Sequence, residues 1–357
     1  MKPNDPERRP HGRGATLSPD NRYSAISREE FDDGWGSLDA PLEPLVTTLT
    51  VDASRSVISY NTSPDVGFDR SINPYRGCEH GCVYCFARPT HAYLDLSPGL
   101  DFESRLFYKP DAPALLRKEL AAPRYRCAPI AVGIITDAYQ PVERRLGLTR
   151  SILEVLLETC HPFSIVTKSA LIERDLELLA EAARLNLVSV AVSVTSLERD
   201  LARRMEPRAA APQRRLEVIR NLSAAGVPVT VLVAPLIPVL TDTELEDILG
   251  QAREAGARAA GYVLLRLPHE LKDIFRDWLL VNEPLKASHV MSRLQDMRGG
   301  KDYQSEFGAR MSGTGEYAAM IAQRFRVQAK KLGYGELPGL DSSRFRKPAA
   351  GPQMSLF

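Results

Sequence analysis

Three observations on this 357-residue chain predict an α/β fold whose parallel sheet is covered by helices. Short β-branched runs recur from about residue 130 onward. Amphipathic stretches of helical length separate them. The runs are continuously apolar, the pattern of strands buried on both faces.

The elements follow in order. Residues 1–45 carry Pro3, Pro6, Pro10, Pro19, Pro41 and Pro44 among charged and small residues, with no strand or helix periodicity, and are expected to form a disordered leader. Residues 46–270 are expected to form the core. The stretch before Cys78 supplies a first strand and the residues after Cys85 a first helix. Further strands are Ile130 to Ile135, Ser164 to Thr167, Val188 to Val194, Val227 to Val233 and Gly261 to Leu265. Helices are expected near 147–159, 173–184, 213–225 and 241–255. Thr241 and Glu244 have the spacing of a capping box, and Gly226 sits where a helix must stop before the next strand. The count is six βα units, which fits an open doubly wound sheet or an incomplete barrel. Both architectures carry their chemistry in loops at the carboxyl ends of strands. Helices over roughly 269–297 and 314–332 make residues 271–340 a helical extension. Residues 341–357 are expected to be a flexible polar tail with an apolar tip.

Composition excludes several classes. The 46 Lys and Arg against 45 Asp and Glu leave a net charge of +1, which argues against a nucleic-acid packaging protein or a polybasic membrane binder. No run reaches the roughly 18 to 20 apolar residues of a membrane helix, and the first 45 residues lack the apolar core of a signal peptide. A cytoplasmic protein without membrane contact is therefore expected. No G-x-G-x-x-G or P-loop opens any helix, so no standard nucleotide fingerprint is present.

Five cysteines remain to be explained, and three crowd into eight positions at Cys78, Cys82 and Cys85. A secreted disulfide framework would be denser, shorter and even in number, so the pattern favours a metal site in a reducing compartment. The segment Asn73-Pro-Tyr-Arg-Gly-Cys78-Glu-His-Gly-Cys82-Val-Tyr-Cys85 gives the spacing C-x3-C-x2-C in a Gly-containing loop after a strand. Three thiolates on one short loop suit three corners of a cubane iron–sulfur cluster, and no fourth Cys follows at a local spacing. One iron would then keep open positions for an outside ligand. The alternative is a structural zinc site completed by His80 or His91. Zinc modules usually bring their ligands as two spaced pairs, so the cluster is favoured.

These residues resemble the radical S-adenosylmethionine (radical SAM) superfamily, whose loop is C-x3-C-x2-C with an aromatic before the last Cys, here Tyr84. Asn73 to Cys78, Thr136-Asp-Ala-Tyr-Gln-Pro-Val-Glu143, Thr167-Lys-Ser169, Met205-Glu-Pro-Arg208 and Ala234-Pro-Leu-Ile-Pro238 are similar to the subgroup related to spore photoproduct lyase. The resemblance covers about residues 65 to 270. It implies a partial (β/α)6 TIM-type barrel with a [4Fe-4S] cluster on Cys78, Cys82 and Cys85 in the loop after the first strand. It further implies that the open iron chelates S-adenosyl-L-methionine, and that one electron, from a flavodoxin- or ferredoxin-type donor, splits it to a 5′-deoxyadenosyl radical. That radical would abstract a hydrogen from substrate, in the subgroup's case a damaged nucleic-acid base.

The same resemblance nominates cofactor-binding positions. Tyr84 would lie near the adenine. Superfamily members commonly carry Gly-Gly-Glu after the second strand to accept the methionine amino group; here Thr136 and Asp137, then Gln140 and Glu143, stand instead. Asp137 is nearest the strand end, while Glu143 has the position of a cap on the following helix. Lys168, directly after the third strand, can pair with the methionine carboxylate or be a solvated loop charge. Ser193 and Thr195 end the fourth strand, where their hydroxyls suit a ribose and equally suit a turn. Between Arg199 and Arg220 there are seven Arg against three acids; Arg208 could reach the carboxylate and the rest phosphates of a nucleic-acid substrate, or form a solvated helix face. Residues 293–347 add 11 Lys and Arg against 6 acids, a second basic bias.

Spore photoproduct lyases also use a cysteine as hydrogen donor. Cys127 precedes the second strand and Cys160 follows a helix, so neither has the position of a relay, and both read better as inert thiols. The last residues, Gln353, Met354, Ser355, Leu356 and Phe357, look like the peptide by which bacterial replication and repair proteins dock on the sliding clamp, or are a chance match in a tail. The expected function is a radical SAM enzyme related to DNA repair. Its alternatives are radical modification of RNA, protein or a small metabolite, and a clamp-associated iron–sulfur or zinc module without turnover.

Overall fold

A computed structural model describes residues 13–24 and 45–348. Among the described residues ten strands are formed: β1 (Thr48–Val51), β2 (Ile58–Tyr60), β3 (Arg70–Ile72), β4 (Tyr75–Arg76), β5 (Arg105–Tyr108), β6 (Ile130–Val132), β7 (Phe163–Thr167), β8 (Val188–Ser193), β9 (Val229–Leu236) and β10 (Ala259–Leu264). Seven build the main sheet in the order β2-β3-β6-β7-β8-β9-β10. β3 to β10 in this sheet run parallel and β2 is an antiparallel edge. Spatial order follows chain order throughout. A doubly wound sheet reverses its order at a switch point, so that alternative is excluded. With right-handed crossovers a sheet wound in one direction collects its helices on one face.

Six helices follow the six parallel strands: Ala112–Ala121, Leu148–Glu158, Leu176–Arg184, Pro212–Ala224, Leu245–Glu254 and Leu271–Asn282. Strand periodicity explains how they attach. Ile72, Val132, Ile165, Val190 and Val229 form one register row and are all buried, packed in one core with Leu116, Ile152, Leu179, Leu222 and Ile248 of the helices. Shortening any of these chains to Ala would cost about 2–5 kcal/mol. Residues of the alternate row point to the other face. Val166, Ala191, Thr230 and Ala259 lie in register there, followed by Ser193, Leu232 and Gly261. Most are small, and only Ser193 is buried. That choice leaves room above the inner face, towards the carboxyl ends of the strands.

A second sheet, β1-β5-β4, holds the entry to the cysteine loop. β4 pairs with β5 through Tyr75 and Arg76, immediately before Gly77 and Cys78. Residues 13–24, assigned to the disordered leader, are tied to this region: Arg13 Nη1 donates to the Glu103 carbonyl at 2.7 Å and Asn21 Nδ2 to Asp95 at 2.9 Å. The leader reading does not hold for that stretch, because the Gly14 and Ala15 amides find a buried acceptor in the Glu103 carboxylate.

Three further expectations need correction. The helix expected over 269–297 is two, Leu271–Asn282 and Ala287–Asp296, because Pro284 cannot continue the first. Thr241 and Glu244 form no capping box: Thr241 Oγ1 accepts the Ile237 amide at 2.9 Å, and the Glu244 carboxylate accepts Ser196 Oγ at 2.8 Å. The start of the tail is docked, with Asp341 N on the Asn186 carbonyl and Arg346 N on the Thr159 carbonyl, each at 2.9 Å. The Phe345 ring lies 5.2 Å from His161 and 5.7 Å from Tyr125. Gln353 to Phe357 lie outside the described residues. Among those described, no helix is long and apolar enough to cross a membrane.

Candidate cofactor site

The loop that follows β3 and β4 carries Cys78, Cys82 and Cys85; the first two are buried and the third half-buried. Its backbone is fixed from behind. Arg88 is fully buried and donates from Nε to the Cys82 carbonyl at 2.9 Å and from Nη2 to the Gly81 carbonyl at 3.0 Å. The same guanidinium pairs with the equally buried Glu103, whose carboxylate accepts the Gly14 and Ala15 amides at 2.8 Å each. Two glycines are required by this stacking. A Cβ on Gly14 would fall 1.8 Å from the Gly81 carbonyl oxygen, and Gly81 itself has φ +68° with Glu103 2.8 Å from its missing Cβ.

Nearby backbone N–H groups, of His80 for Cys78 and of Ala87 and Arg88 for Cys85, favour the thiolate forms, and such donors tune sulfur ligands. Burial nevertheless pushes all three thiols above their ordinary value. Thiolates there need a cationic centre, as bound iron would be.

The zinc alternative fits less well. Among the described residues no three His, Cys, Asp or Glu side chains converge closely enough for a single metal ion. The proposed fourth ligands are engaged elsewhere: His80 Nδ1 lies 3.4 Å from Asp137, and His91 Nε2 contacts the Arg105 carbonyl at 3.0 Å with its ring edge-on to Phe102. Three thiols spread along a loop suit a cluster with several metal corners better than one ion.

The opposite wall comes from the segment after β8. Val83 N donates to the Met205 carbonyl at 3.0 Å and Arg208 N to the His80 carbonyl at 3.3 Å, so Met205 to Arg208 clasp the cysteine loop. Arg208 Nη1 pairs with Glu79 at 3.0 Å, and Thr47 Oγ1 donates to the same carboxylate at 2.6 Å. Gln140 accepts the Glu79 amide at 2.8 Å and donates to the Gly77 carbonyl at 3.1 Å. Beneath lies a buried chain: Tyr84 hydroxyl to Thr195 Oγ1 at 3.1 Å, Thr195 to Glu206 at 2.9 Å, and Glu206 to Arg215. Arg215 also donates to the Ser193 carbonyl at 3.1 Å.

The nominated residues thus gather around one loop, in different states. Tyr84 is buried, with its hydroxyl held by Thr195, and Thr195 is engaged within the same chain. Ser193 Oγ makes no recorded hydrogen bond among the described residues. Asp137 accepts Thr167 Oγ1 and Lys168 N at 2.8 Å and Tyr139 N at 2.9 Å. Burial would raise its carboxyl, yet the His80 ring and these N–H groups outweigh it and hold the carboxyl below the usual range. Lys168 is half-buried, with Nζ 5.8 Å from the Tyr84 ring centre and only a long 3.5 Å bond to the Ala234 carbonyl. Its donors remain available. Glu143 accepts the Thr149 amide at 3.0 Å at the start of the helix Leu148–Glu158, which makes it the helix cap its position suggested. Of the seven arginines from 199 to 220, Arg204, Arg208, Arg214 and Arg215 are paired with acids. Exposed Arg199 and Arg203 line a cavity of about 670 Å³ between two helices, which Glu206 and Pro207 also line.

Cys127 precedes β6 and Cys160 precedes β7, so both sit at the amino ends of strands, away from the cysteine loop. Arg88, Glu103 and Glu79 were not singled out from the sequence. Their ion-pair partners lie 15 and 129 positions away, and no local spacing announces them.

A parallel sheet wound in one direction, with a three-thiol loop at the carboxyl end of its first parallel strand, defines a class of α/β protein built to hold a cluster-type cofactor. The chain belongs to the Radical SAM superfamily, whose family model it matches over residues 72–252. An uncharacterized protein of Mycobacterium tuberculosis is 43% identical over 232 residues, 64% of this chain and 67% of the relative. An uncharacterized protein of Methanocaldococcus jannaschii is 28% identical over 182 residues, 51% of this chain and 65% of the relative. Among solved structures, spore photoproduct lyase complexed with dinucleoside spore photoproduct superposes with a TM-score of 0.56 at 15% identity, over 80% of each chain. A variant of that lyase with bound AdoMet and the same photoproduct also gives 0.56. At that identity the likeness is one of fold.

Proposed function

We propose that this chain is a radical SAM enzyme, folded as a partial (β/α)6 barrel, that holds a [4Fe-4S] cluster on Cys78, Cys82 and Cys85 and acts on a damaged nucleic-acid base. The observation that carries the reading is the cysteine loop itself: three buried or half-buried thiols within eight residues, on a backbone whose Gly81 and Cys82 carbonyls are held by Arg88. When bound, the cluster supplies one electron to the sulfonium of S-adenosyl-L-methionine and so releases a 5′-deoxyadenosyl radical.

The chain's own residues bind, orient and shield. Lys168, with donors free, and Arg208 are the candidates for the methionine carboxylate. Asp137 is the candidate for the amino group, although its oxygens already accept several hydrogen bonds. Ser193 offers the ribose a hydroxyl, while Tyr84 and Thr195 stiffen the loop near the adenine. Small inner-face residues such as Ala191 and Gly261 leave space for the nucleoside. Arg199 and Arg203 are candidates for phosphate contacts. A flavodoxin- or ferredoxin-type reductant would deliver the electron, and Gln353 to Phe357 would dock on a sliding clamp.

The test compares 5′-deoxyadenosine formation by the reduced, cluster-loaded protein with no addition, with intact DNA and with ultraviolet-damaged DNA. Stimulation by damaged DNA alone supports the repair reading. Equal rates in all three would remove it and turn attention to RNA, protein or a small metabolite.

A further inference from the structure

Four arginines are buried among the described residues: Arg70, Arg88, Arg215 and Arg298. The first three each face a carboxylate, of Asp69, Glu103 and Glu206. Arg298 faces none. It donates to the carbonyls of Ala309 at 2.6 Å and Leu265 at 2.9 Å, and its Nε has no partner. Burial and then a second cation, Arg266, bring the Arg298 guanidinium down to about 10, against a smaller upward pull from Tyr303.

Arg266 follows β10 directly, at the carboxyl end of the last parallel strand. Its Nε is also buried without a partner, and Nη1 reaches only the Met311 sulfur at 3.6 Å. Its guanidinium lies 5.2 Å from the ring centre of Phe86, the residue next to Cys85. Two neighbouring guanidinium groups without an acid are unfavourable in a half-buried place unless something else neutralises them.

We infer that Arg266 and Arg298 form a binding site for a phosphate group, at the mouth of the sheet beside the cysteine loop. A phosphate has enough oxygens to serve the Arg266 fork together with the unpartnered Arg298 Nε, and the charge to balance both groups, where a single carboxylate would balance only one. The site rests on the reading of this mouth as the substrate entrance. It adds that the substrate carries a phosphate there, either in a nucleic-acid backbone or as a phosphorylated small molecule.

Calorimetric titration of the full-length, cluster-loaded protein with inorganic phosphate, and separately with the tetranucleotide (dT)4, tests this. Binding by the wild type that weakens about tenfold in Arg266→Gln and less in Arg266→Lys is expected. Arg298 is too deeply built in for a clean variant, so the rim residue carries the test. Tighter binding of (dT)4 assigns the phosphate to a nucleic-acid backbone, and tighter binding of inorganic phosphate to a small molecule. No binding of either probe, unchanged binding in Arg266→Gln, or stoichiometric displacement by S-adenosyl-L-methionine overturns the site. These titrations need no turnover, so a protein that binds phosphate but never cleaves S-adenosyl-L-methionine would contradict the proposed function and leave this site standing.

Discussion

Arg88 and Glu103 form a fully buried ion pair directly behind the cysteine loop, and each also serves the backbone of a different segment. The arginine holds the Gly81 and Cys82 carbonyls; the glutamate holds the Gly14 and Ala15 amides. The pair therefore couples the position of the thiols to the docking of residues 13–24.

Replacing Arg88 by Met removes one partner and strands the other as an unpaired buried charge. A loss of about 3–5 kcal/mol is expected, with reduced iron loading because the loop carbonyls lose their donors. Equilibrium urea unfolding and iron analysis check both. A loss under about 1 kcal/mol with full iron would show that the pair does not set the loop.

Cys82→Ala is expected to abolish the visible iron–sulfur absorbance of the reconstituted protein, whereas Cys127→Ala and Cys160→Ala keep it. Full iron and sulfide in Cys82→Ala would sink the ligand assignment. Loss of the absorbance in Cys127→Ala would place a ligand at the wrong end of the sheet.

His161 gives the stability a pH dependence of definite sign. Burial lowers its ring to about 4; the neutral form donates from Nδ1 to the Pro162 carbonyl at 2.9 Å and accepts the Tyr125 hydroxyl on Nε2 at 2.7 Å, a tautomer assigned from these partners. Because the folded value lies below the unfolded 6.5, the unfolded chain binds the extra proton. The contribution is intact above about pH 6.5 and is lost progressively as pH falls toward 4, about 2 kcal/mol of it by pH 5. Unfolding titrations at pH 7.5 and 5 should differ less in His161→Gln by roughly that amount. An unchanged difference would mean that the ring does not titrate as described.

Deleting Gln353 to Phe357 should eliminate binding to a bacterial sliding clamp while leaving cluster absorbance and melting temperature unchanged. Surface plasmon resonance against immobilised clamp measures this. Equal binding by the truncated chain would make the terminal peptide incidental.

Much of the fold was legible because recurring β-branched runs mark the strands, as at Val188 to Val194, although the structure buries one row of that strand fully and leaves Ser189 and Ala191 of the other half-buried, and because Gly226 punctuates a helix end at Ala224. The three thiols were legible because one short loop carries them all. The small β1-β5-β4 sheet was not, since its strands are two to four residues long and β1 is largely exposed. Long-range partners were equally silent. Nothing near Glu103 announces Gly14, and the Thr241–Glu244 spacing suggested a cap whose groups found better partners at Ile237 and Ser196. The paired arginines after β8 explain why a basic run overstated the free charge: four of its seven members face acids, one of them buried Glu206.

The central claim is that the cysteine loop carries a cluster that cleaves S-adenosyl-L-methionine. Its most direct test is to reconstitute the protein anaerobically with iron and sulfide, reduce it, add S-adenosyl-L-methionine, and follow 5′-deoxyadenosine by chromatography. The account predicts 5′-deoxyadenosine from the wild type and none from Cys82→Ala; no product from a fully loaded, reduced wild-type cluster would contradict it and favour a binding module without turnover.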